Sequence, residues 1–141
     1  MSIVQPWLPG ARVVDLFAGS GALGLEALSR GAVSCDFVES SPRSLSALQA
    51  NIAKLGAAAR SRTHREDALK YAFVRYEGEY DVAFADPPYD QGLAAKLAER
   101  WLEVPFAGIL GVEHAAREAL PPSGDRRKYG STAITFYGLS R

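Results

Sequence analysis

The sequence contains a single cysteine among its 141 residues. One thiol cannot form a disulfide within the chain, and it is too few for a metal site built on cysteines. Cys35 lies within the apolar segment 33–38, which predicts a buried position on a strand. We therefore interpret Cys35 as a structural residue and not as a nucleophile.

Long apolar runs and an excess of charge are missing as well. No stretch approaches the roughly 20 apolar residues of a membrane span, and no basic and then apolar leader opens the chain. We therefore expect a cytoplasmic protein with no membrane partner. The 16 basic and 16 acidic side chains cancel, so the total charge does not indicate a nucleic-acid partner. The length predicts a single domain over residues 1–141.

Short apolar runs alternate with helical segments along most of the chain. The predicted strands are 12–17, 34–39, 59–63, 80–85 and 108–113, with a closing hairpin of 127–129 and 132–139. A helix is expected after each of the first four strands, and Ser41 and Pro42 are typical of a helix start. This alternation predicts an α/β fold: a doubly wound, mostly parallel, seven-stranded Rossmann-like sheet that ends in an antiparallel hairpin.

The loops after the first four strands carry most of the candidate chemistry. Ligands of such sheets bind at the carboxyl ends of the strands, beside the point where the strand order switches. The four loops are therefore expected to line one crevice. They contain residues 15–21, Glu39, Asp67 and 86–89.

The first of these loops resembles a nucleotide fingerprint. Gly19, Gly21 and Gly24 match G-x-G-x-x-G between a strand and a helix, and Glu39 ends the next strand, where an acid suits the hydroxyls of an adenosine ribose. Asp15 lies where a dinucleotide enzyme holds its pyrophosphate. A carboxylate there repels phosphates and favours the ammonium of a methionine moiety. The predicted cofactor is S-adenosylmethionine, and an NAD-dependent oxidoreductase is the rival interpretation.

Two kinds of residue remain ambiguous at this stage. Asp67 directly precedes Ala68, so it is either a helix N-cap or a hydrogen-bond acceptor for the exocyclic amine of adenine. His64 and His114 lie outside the four loops, and we expect them to be packed or on the surface. No dedicated catalytic base is visible.

The loop after the fourth strand reads Asp86-Pro87-Pro88-Tyr89. The prolines fix φ and have no N–H, so the carbonyls of Asp86 and Pro87 are free to face a ligand. Tyr89 offers a ring on which a base can stack. These four residues are the predicted catalytic set. Asp86 and the Pro87 carbonyl would accept hydrogen bonds from an amine and turn its lone pair toward the methyl group.

Three motifs together resemble the RsmD-type 16S rRNA guanine-N2 methyltransferases. They are residues 15–27 (DLFAGSGALGLEA), residues 86–89 (DPPY) and residues 126–132 (RRKYGST), and the similarity runs over nearly the whole chain. The resemblance implies the class I methyltransferase fold and S-adenosylmethionine as donor. It also implies the exocyclic N2 amine of a guanine in 16S rRNA as acceptor. We further expect the rRNA to be within a small-subunit particle and the protein to be a monomer.

The predicted binding residues follow from these motifs. The cofactor-binding set is Asp15, Phe17, Gly19, Ser20, Gly21, Glu39, Ser40, Asp67 and Ala68. The predicted RNA-binding residues are Arg126, Arg127 and Lys128. One departure affects substrate binding: family members usually begin with a basic extension, whereas this sequence opens almost directly at the first strand. We therefore expect a domain that lacks this extension.

Other activities remain open from the residues alone. A carboxylate with Pro-Pro-Tyr also suits methylation of adenine in DNA or RNA, or of a glutamine side chain in protein. A non-catalytic RNA-binding module is a further alternative. The lack of a Pro-Cys pair near the fourth strand argues against methylation of C5 in pyrimidines, which needs a thiolate nucleophile.

Overall fold

The computed structural model describes residues 2–139. Its strands and helices are, in chain order, β1 (Arg12–Leu16), α1 (Ala22–Ser29), β2 (Ser34–Val38), α2 (Pro42–Lys54), β3 (Ser61–His64), α3 (Ala68–Phe73), β4 (Tyr80–Ala85), α4 (Leu93–Glu103), β5 (Ala107–Ala115), β6 (Asp125–Tyr129) and β7 (Thr132–Tyr137). Two short 3-10 helices, Gln5–Trp7 and Ala58–Arg60, complete the described secondary structure.

All seven strands form one sheet in the order β3-β2-β1-β4-β5-β7-β6. The first five strands in this order are parallel, whereas β7 pairs antiparallel with both β5 and β6. The predicted doubly wound sheet with its closing antiparallel hairpin is thereby confirmed. The strand order switches between β1 and β4, so the loops that follow these strands open on the same side of the sheet.

Helices cover the sheet on both faces. One buried cluster joins the sheet to α3 and α4 through residues such as Tyr71, Leu97 and Trp101. The other joins it to α1 and α2 through Leu25 and Leu48. Each large side chain buried in this way contributes about 1.5–3 kcal/mol relative to leaving it in water. The two clusters hold the strand ends in place, and with them the loops that carry the motifs.

The helix starts agree with the local sequence signals. The Ser41 side chain accepts a hydrogen bond from the amide of Ser44, and Pro42 is the first residue of α2, as predicted. The Asp67 side chain caps α3 by accepting from the amide of Lys70 at 3.0 Å. Cys35 is a buried residue of β2, also as predicted.

Several predicted boundaries need correction. Strand β1 ends at Leu16 because Phe17 turns into the left-handed region with φ 59°. The predicted strand 59–63 instead begins as a 3-10 helix, and β3 runs from Ser61 to His64. Strand β7 stops at Tyr137 because Gly138 has φ 95°, a backbone conformation that a strand cannot continue through.

Strand β5 is longer than predicted at both ends, and the first strand of the closing hairpin, β6, is longer at its start. Strand β5 spans Ala107–Ala115 instead of 108–113, and β6 begins at Asp125 instead of residue 127. Ala107 is added by parallel pairing with Tyr80 of β4, whereas the C-terminal end of β5 and the start of β6 are added by antiparallel pairing with β7. A single-strand pattern does not reveal such pairing. Within residues 2–139, no helix has the length and apolar character needed to cross a bilayer.

Candidate active site

A cavity of about 900 Å³ opens at the carboxyl ends of β1, β2, β4 and β5. Its volume is within the range of small-molecule sites in proteins. The residues lining it are Asp15, Phe17, Ala18, Gly19, Ser20, Ala22, Leu23, Glu39, Ser40, Asp67, Leu69, Asp86, Pro87, Pro88, Tyr89, Gln91, Leu93 and Glu113. The loops expected to form one crevice therefore do so.

Most of the predicted site residues meet in this cavity. It is lined by all four residues predicted as catalytic, Asp86 to Tyr89, and by seven of the predicted cofactor-binding residues: Asp15, Phe17, Gly19, Ser20, Glu39, Ser40 and Asp67. Gly21 and Ala68 do not line it, since Gly21 is the N-cap residue that precedes α1 and Ala68 is buried as the first residue of α3. The basic residues Arg126, Arg127 and Lys128 lie on the edge strand β6, outside the cavity.

The glycine turn between β1 and α1 is held by Glu39. The amide of Gly19 donates to one carboxylate oxygen of Glu39 at 2.8 Å, and the amide of Ser41 donates to the other at 2.9 Å. This fixes the carboxylate against the turn. Each of its oxygens has a second lone pair, so Glu39 can still accept hydrogen bonds from a ligand in the cavity.

Two of the three fingerprint glycines are needed for packing. A Cβ on Gly21 would overlap the side chain of Leu48, and Gly21 also has φ 89°. A Cβ on Gly24 would overlap the ring of Phe37 and the sulfur of Cys35 on β2. Gly24 therefore allows α1 to lie close against the sheet, which is the role of the third glycine in nucleotide-binding turns.

Asp15 is a buried carboxyl group at the floor of the cavity, 1% exposed. One of its oxygens accepts a hydrogen bond from the amide of Gly24 at 3.0 Å. Burial raises its pKa to about 8, the hydrogen bond opposes the rise, and the charges of Asp86 and Glu39 add to it. Burial thus disfavours the ionised form of Asp15, and a cationic ligand would favour it.

Backbone strain is concentrated at the cavity. Phe17 and Asp90, with φ of 59° and 65°, are the non-glycine residues with positive φ among residues 2–139. Phe17 lines the cavity directly after β1, and Asp90 follows the Asp86–Tyr89 loop. A bulky residue in the left-handed region costs of order 1–3 kcal/mol, and such strain clusters at ligand sites. We infer that the ends of β1 and β4 are shaped for a ligand.

The Asp86–Tyr89 loop is anchored on the hairpin side of the cavity. The Tyr89 hydroxyl lies 3.2 Å from the hydroxyl of Thr132 at the start of β7. Asp90 pairs with Arg117 at 2.5 Å on the surface. Asp86 itself is exposed in the cavity mouth, yet partial burial still raises its pKa. Pro87 is buried, which keeps the loop rigid.

The electrostatic character of the cavity is acidic throughout. Five of its lining residues carry carboxyl groups: Asp15, Glu39, Asp67, Asp86 and Glu113. None of the described lining residues is Lys, Arg or His. A ligand with several phosphates would be repelled from such a site, whereas a ligand with positive charge would be attracted. The cavity thus favours a cationic nucleoside over a dinucleotide. Within residues 2–139, no group of three or more His, Cys, Asp or Glu side chains is arranged to hold a metal ion.

For Asp67 the sequence left two roles open, helix N-cap and acceptor for the adenine amine, and the structure is compatible with both. Its Oδ1 caps α3, and the same side chain lines the cavity. The cap uses one carboxylate oxygen, so the second remains available to a ligand. The cap is therefore observed, and the contact with an adenine amine stays a prediction.

The predicted RNA-binding residues are exposed but partly engaged. Arg126 donates to the backbone carbonyls of Ala116 and Glu118, and Arg127 pairs with Asp125 at 2.9 Å. Lys128 extends from the same edge strand. The strand ends at Tyr129, which pairs with Thr132, and the Thr132 hydroxyl lies 3.2 Å from that of Tyr89 in the cavity lining.

The two histidines have structural partners. His114 is fully buried between the carbonyl of Ala115 and the hydroxyl of Thr135. His64 pairs with Asp36 at 3.5 Å on the opposite face of the sheet from α1. Neither lines the cavity, which agrees with the expectation from the sequence.

Glu113 and Gln91 line the cavity but were missed by the sequence argument. Glu113 belongs to β5, whereas the sequence motifs lie on the loops after the first four strands. One feature of the sequence could have identified Glu113: it is a charged residue that directly follows the apolar or glycine residues 109–112 of a predicted strand. Gln91 directly follows the Asp86–Tyr89 loop, and nothing in its local pattern distinguishes it from a surface residue.

Comparison with known proteins places this geometry in a family. The sequence profile described as "Conserved hypothetical protein 95" matches residues 1–138. YlbH of Bacillus subtilis, which has the provisional name of rRNA methyltransferase, is 33% identical over 147 aligned positions, covering 96% of this chain and 80% of YlbH. The ribosomal RNA small subunit methyltransferase D of Escherichia coli is 38% identical over 91 positions, covering 64% of this chain and 44% of that protein.

A solved structure supports the same assignment. The protein yhhF of Escherichia coli, provisionally described as a methyltransferase, superposes with a TM-score of 0.82 at 27% identity, covering 96% of this chain and 79% of the other. The profile covers nearly the whole chain, and the relatives found by sequence and by structure point to the same family. This chain therefore belongs to the RsmD-type family of rRNA methyltransferases.

Proposed function

We propose that this chain transfers a methyl group from S-adenosylmethionine to the exocyclic N2 amine of a guanine in 16S rRNA. In this proposal the chain acts in the cytoplasm as a monomer, and the rRNA is part of a small-subunit particle. The observation that carries the proposal is the acidic cavity in which the Asp86–Tyr89 loop and the glycine turn line the same space.

The lining residues fit the donor. Glu39, held by two backbone amides, is placed to accept hydrogen bonds from the ribose hydroxyls. Asp15 would bind the ammonium of the methionine part, and Asp67 would lie beside the adenine. When bound, S-adenosylmethionine supplies an electrophilic methyl group on a positively charged sulfur. The NAD alternative is disfavoured, because no cationic side chain lines the cavity to neutralise a pyrophosphate.

The Asp86–Tyr89 loop would hold the acceptor. The amine of guanine is a weak nucleophile because its lone pair is delocalised into the ring. Asp86 and the Pro87 carbonyl would accept hydrogen bonds from the two N–H groups and turn the lone pair toward the methyl group, while Tyr89 stacks on the extruded base. The carboxylate would also stabilise the positive charge that develops on nitrogen as the carbon–nitrogen bond forms and the carbon–sulfur bond breaks. The products would be S-adenosylhomocysteine and, after loss of one proton from nitrogen to solvent, the neutral methylated amine.

Electrostatics around the cavity suit an RNA substrate. The cavity itself is acidic, whereas the edge strand β6 carries Arg126, Arg127 and Lys128, all exposed. Basic side chains on this edge would contact the phosphate backbone and bring one nucleotide to the cavity mouth. A neutral chain can bind RNA in this way, because local positive charge and not the total decides the contact.

A transfer assay with labelled S-adenosylmethionine tests the proposal. Unmodified 16S rRNA, small subunits that lack the modification, DNA and protein substrates are compared in parallel. Incorporation into rRNA or small subunits, with N2-methylguanine as the nuclease product, supports the proposal. A product on adenine or glutamine would favour the alternative amine acceptors, and donor binding without any product would favour a non-catalytic RNA-binding module.

Donor identity is tested separately. We expect S-adenosylmethionine and S-adenosylhomocysteine to raise the melting temperature of the protein, since ligands that bind only the native state stabilise it. NADH is expected to have no effect. Stabilisation by NADH alone would refute the assignment of the donor.

A further inference from the structure

Glu113 is a second carboxylate beside the predicted catalytic loop. On the paired strands β4 and β5, Ala85 lies opposite Val112, so the next residues, Asp86 and Glu113, are neighbours at the carboxyl end of the sheet. Both line the same cavity. Burial raises the pKa of Glu113, and the charge of the neighbouring Asp86 raises it further.

The Glu113 side chain has no hydrogen-bond or ion-pair partner among residues 2–139. It is partly buried, and its neighbours on β5, Val112 and His114, are fully buried. A carboxylate in this position is costly for the empty protein, because it is partly desolvated beside another acid and receives no compensating hydrogen bond. The packing of β5 gives no reason for an acid here. The cavity supplies one, because a ligand with N–H donors would satisfy the carboxylate.

Guanine presents such a donor beside its amine. On the Watson–Crick edge of guanine the N2 amine is flanked by N1–H, a second donor, whereas the N6 amine of adenine is flanked by N1, an acceptor. If Asp86 and the Pro87 carbonyl hold the amine, an adjacent carboxylate meets the neighbouring ring position. That carboxylate would accept a hydrogen bond from guanine but would face the lone pair of adenine.

We propose that Glu113 accepts the N1–H of the target base and so selects guanine over adenine. The proposal rests on the proposed function, because it requires the amine to be held by the Asp86–Tyr89 loop. It names a specificity residue that contacts the substrate. Discrimination arises from attraction to one base and from an unpaired, partly buried charge against the other.

The test compares two RNAs whose target base has either a donor or an acceptor at N1, the ring position next to the amine. The modified nucleotide is first mapped on wild-type product by nuclease digestion and mass spectrometry. Full-length rRNA is then assembled by ligation with guanine or 2-aminopurine at that position. 2-Aminopurine keeps the amine at C2 but has an acceptor at N1, and it also lacks the O6 carbonyl. The change in preference caused by a substitution at Glu113, and not the wild-type preference alone, therefore reports on N1. The measured quantity is the ratio of kcat/KM for the two RNAs.

Wild-type enzyme is expected to prefer guanine. In Glu113→Gln the side-chain amide can accept from N1–H or donate to N1, so the preference is expected to fall by roughly tenfold to a hundredfold, the loss typical of one hydrogen bond to a charged group. Glu103→Gln, at the exposed end of α4, is the matched control and should keep the wild-type ratio. S-adenosylhomocysteine affinity should be unchanged in both variants, and the melting temperature should not fall in either, since removing the partly desolvated Glu113 charge can only raise it.

The ratio separates the possible outcomes. If Glu113→Gln lowers activity equally on both RNAs, or leaves both unchanged, Glu113 does not read the base and the inference is wrong. Equal wild-type activity on the two RNAs also overturns it. If wild-type enzyme methylates neither RNA nor the native small subunit, the proposed function itself fails, a result distinct from the first two.

Discussion

Replacing Asp15 by Asn should stabilise the empty protein at neutral pH. Asp15 is buried, and its pKa rises from 3.8 in the unfolded chain to about 8 in the native protein. Asn is similar in shape, keeps an oxygen to accept from the Gly24 amide, and does not titrate. The substitution therefore removes the cost of keeping an ionisable group in the floor of the cavity.

The size of the effect follows from proton linkage. A group whose pKa is raised on folding contributes stability that is fully present below the unfolded value and is lost as pH rises through the folded value. With pKa values of 3.8 and about 8, the loss for wild type at pH 7 is at most about 4 kcal/mol. The stability difference between Asp15→Asn and wild type should thus be small near pH 4 and grow until about pH 8.

Chemical denaturation of the ligand-free protein between pH 4 and pH 9 measures this difference. Asp81→Asn is a useful contrast, because partial burial raises the pKa of Asp81 but the hydrogen bonds and charge of Arg12 outweigh it, so the net pKa is lowered. That variant should be no more stable than wild type at neutral pH. A stability difference for Asp15→Asn that does not change with pH would refute the assigned protonation of Asp15.

The same substitution should weaken donor binding. In wild type a cationic donor would bind the ionised form, so binding near pH 7 should release a proton and tighten as pH rises toward 8. Calorimetry of S-adenosylmethionine binding in buffers of different ionisation enthalpy detects that proton. Asp15→Asn should lose both affinity and proton release. Undiminished affinity in the variant would remove Asp15 from the binding site.

Three further substitutions test other parts of the site. Asp86→Ala should lower transfer by roughly a hundredfold or more while calorimetry shows unchanged donor affinity, and full turnover would disprove its catalytic role. Gly24→Ala should lower the free energy of unfolding by about 1–3 kcal/mol, since its methyl group would overlap Phe37; unchanged denaturation curves would contradict this packing role. Replacing Arg126, Arg127 and Lys128 of β6 together by alanine should weaken RNA binding and reduce its salt dependence by about one unit of slope per lost phosphate contact. Filter binding at several salt concentrations measures both. Binding curves identical to those of wild type would mean that these residues have only a structural role.

Much of the fold could be predicted because its signals are local. The alternation of apolar strands with capped helices appears directly in the sequence, as at Ser41 and Pro42, and the structure has the expected mostly parallel sheet with its closing antiparallel hairpin. Convergence of the four loops followed from the rule that ligand sites lie at the carboxyl ends of parallel strands. Boundaries were less accurate where pairing or backbone strain decides them, as at Phe17 and Asp125.

The site could be predicted only where its residues lie on motif loops. Glu113 was missed because its neighbour in space, Asp86, is distant in sequence, and only the β4–β5 register brings them together. The burial of Asp15 and its raised pKa also depend on packing of α1 against the sheet. The roles of the site residues in binding and catalysis remain predictions for the experiments above.

The sequence by itself determined the class of this protein, because strand periodicity, glycine turns and the Asp-Pro-Pro-Tyr loop act over short distances along the chain. Only the tertiary structure decided which charges face one another. Five carboxyl groups from five separate segments line one cavity while the basic residues of β6 remain outside it. Electrostatic interactions depend on distance and burial in space, so a neutral total charge could not reveal this separation.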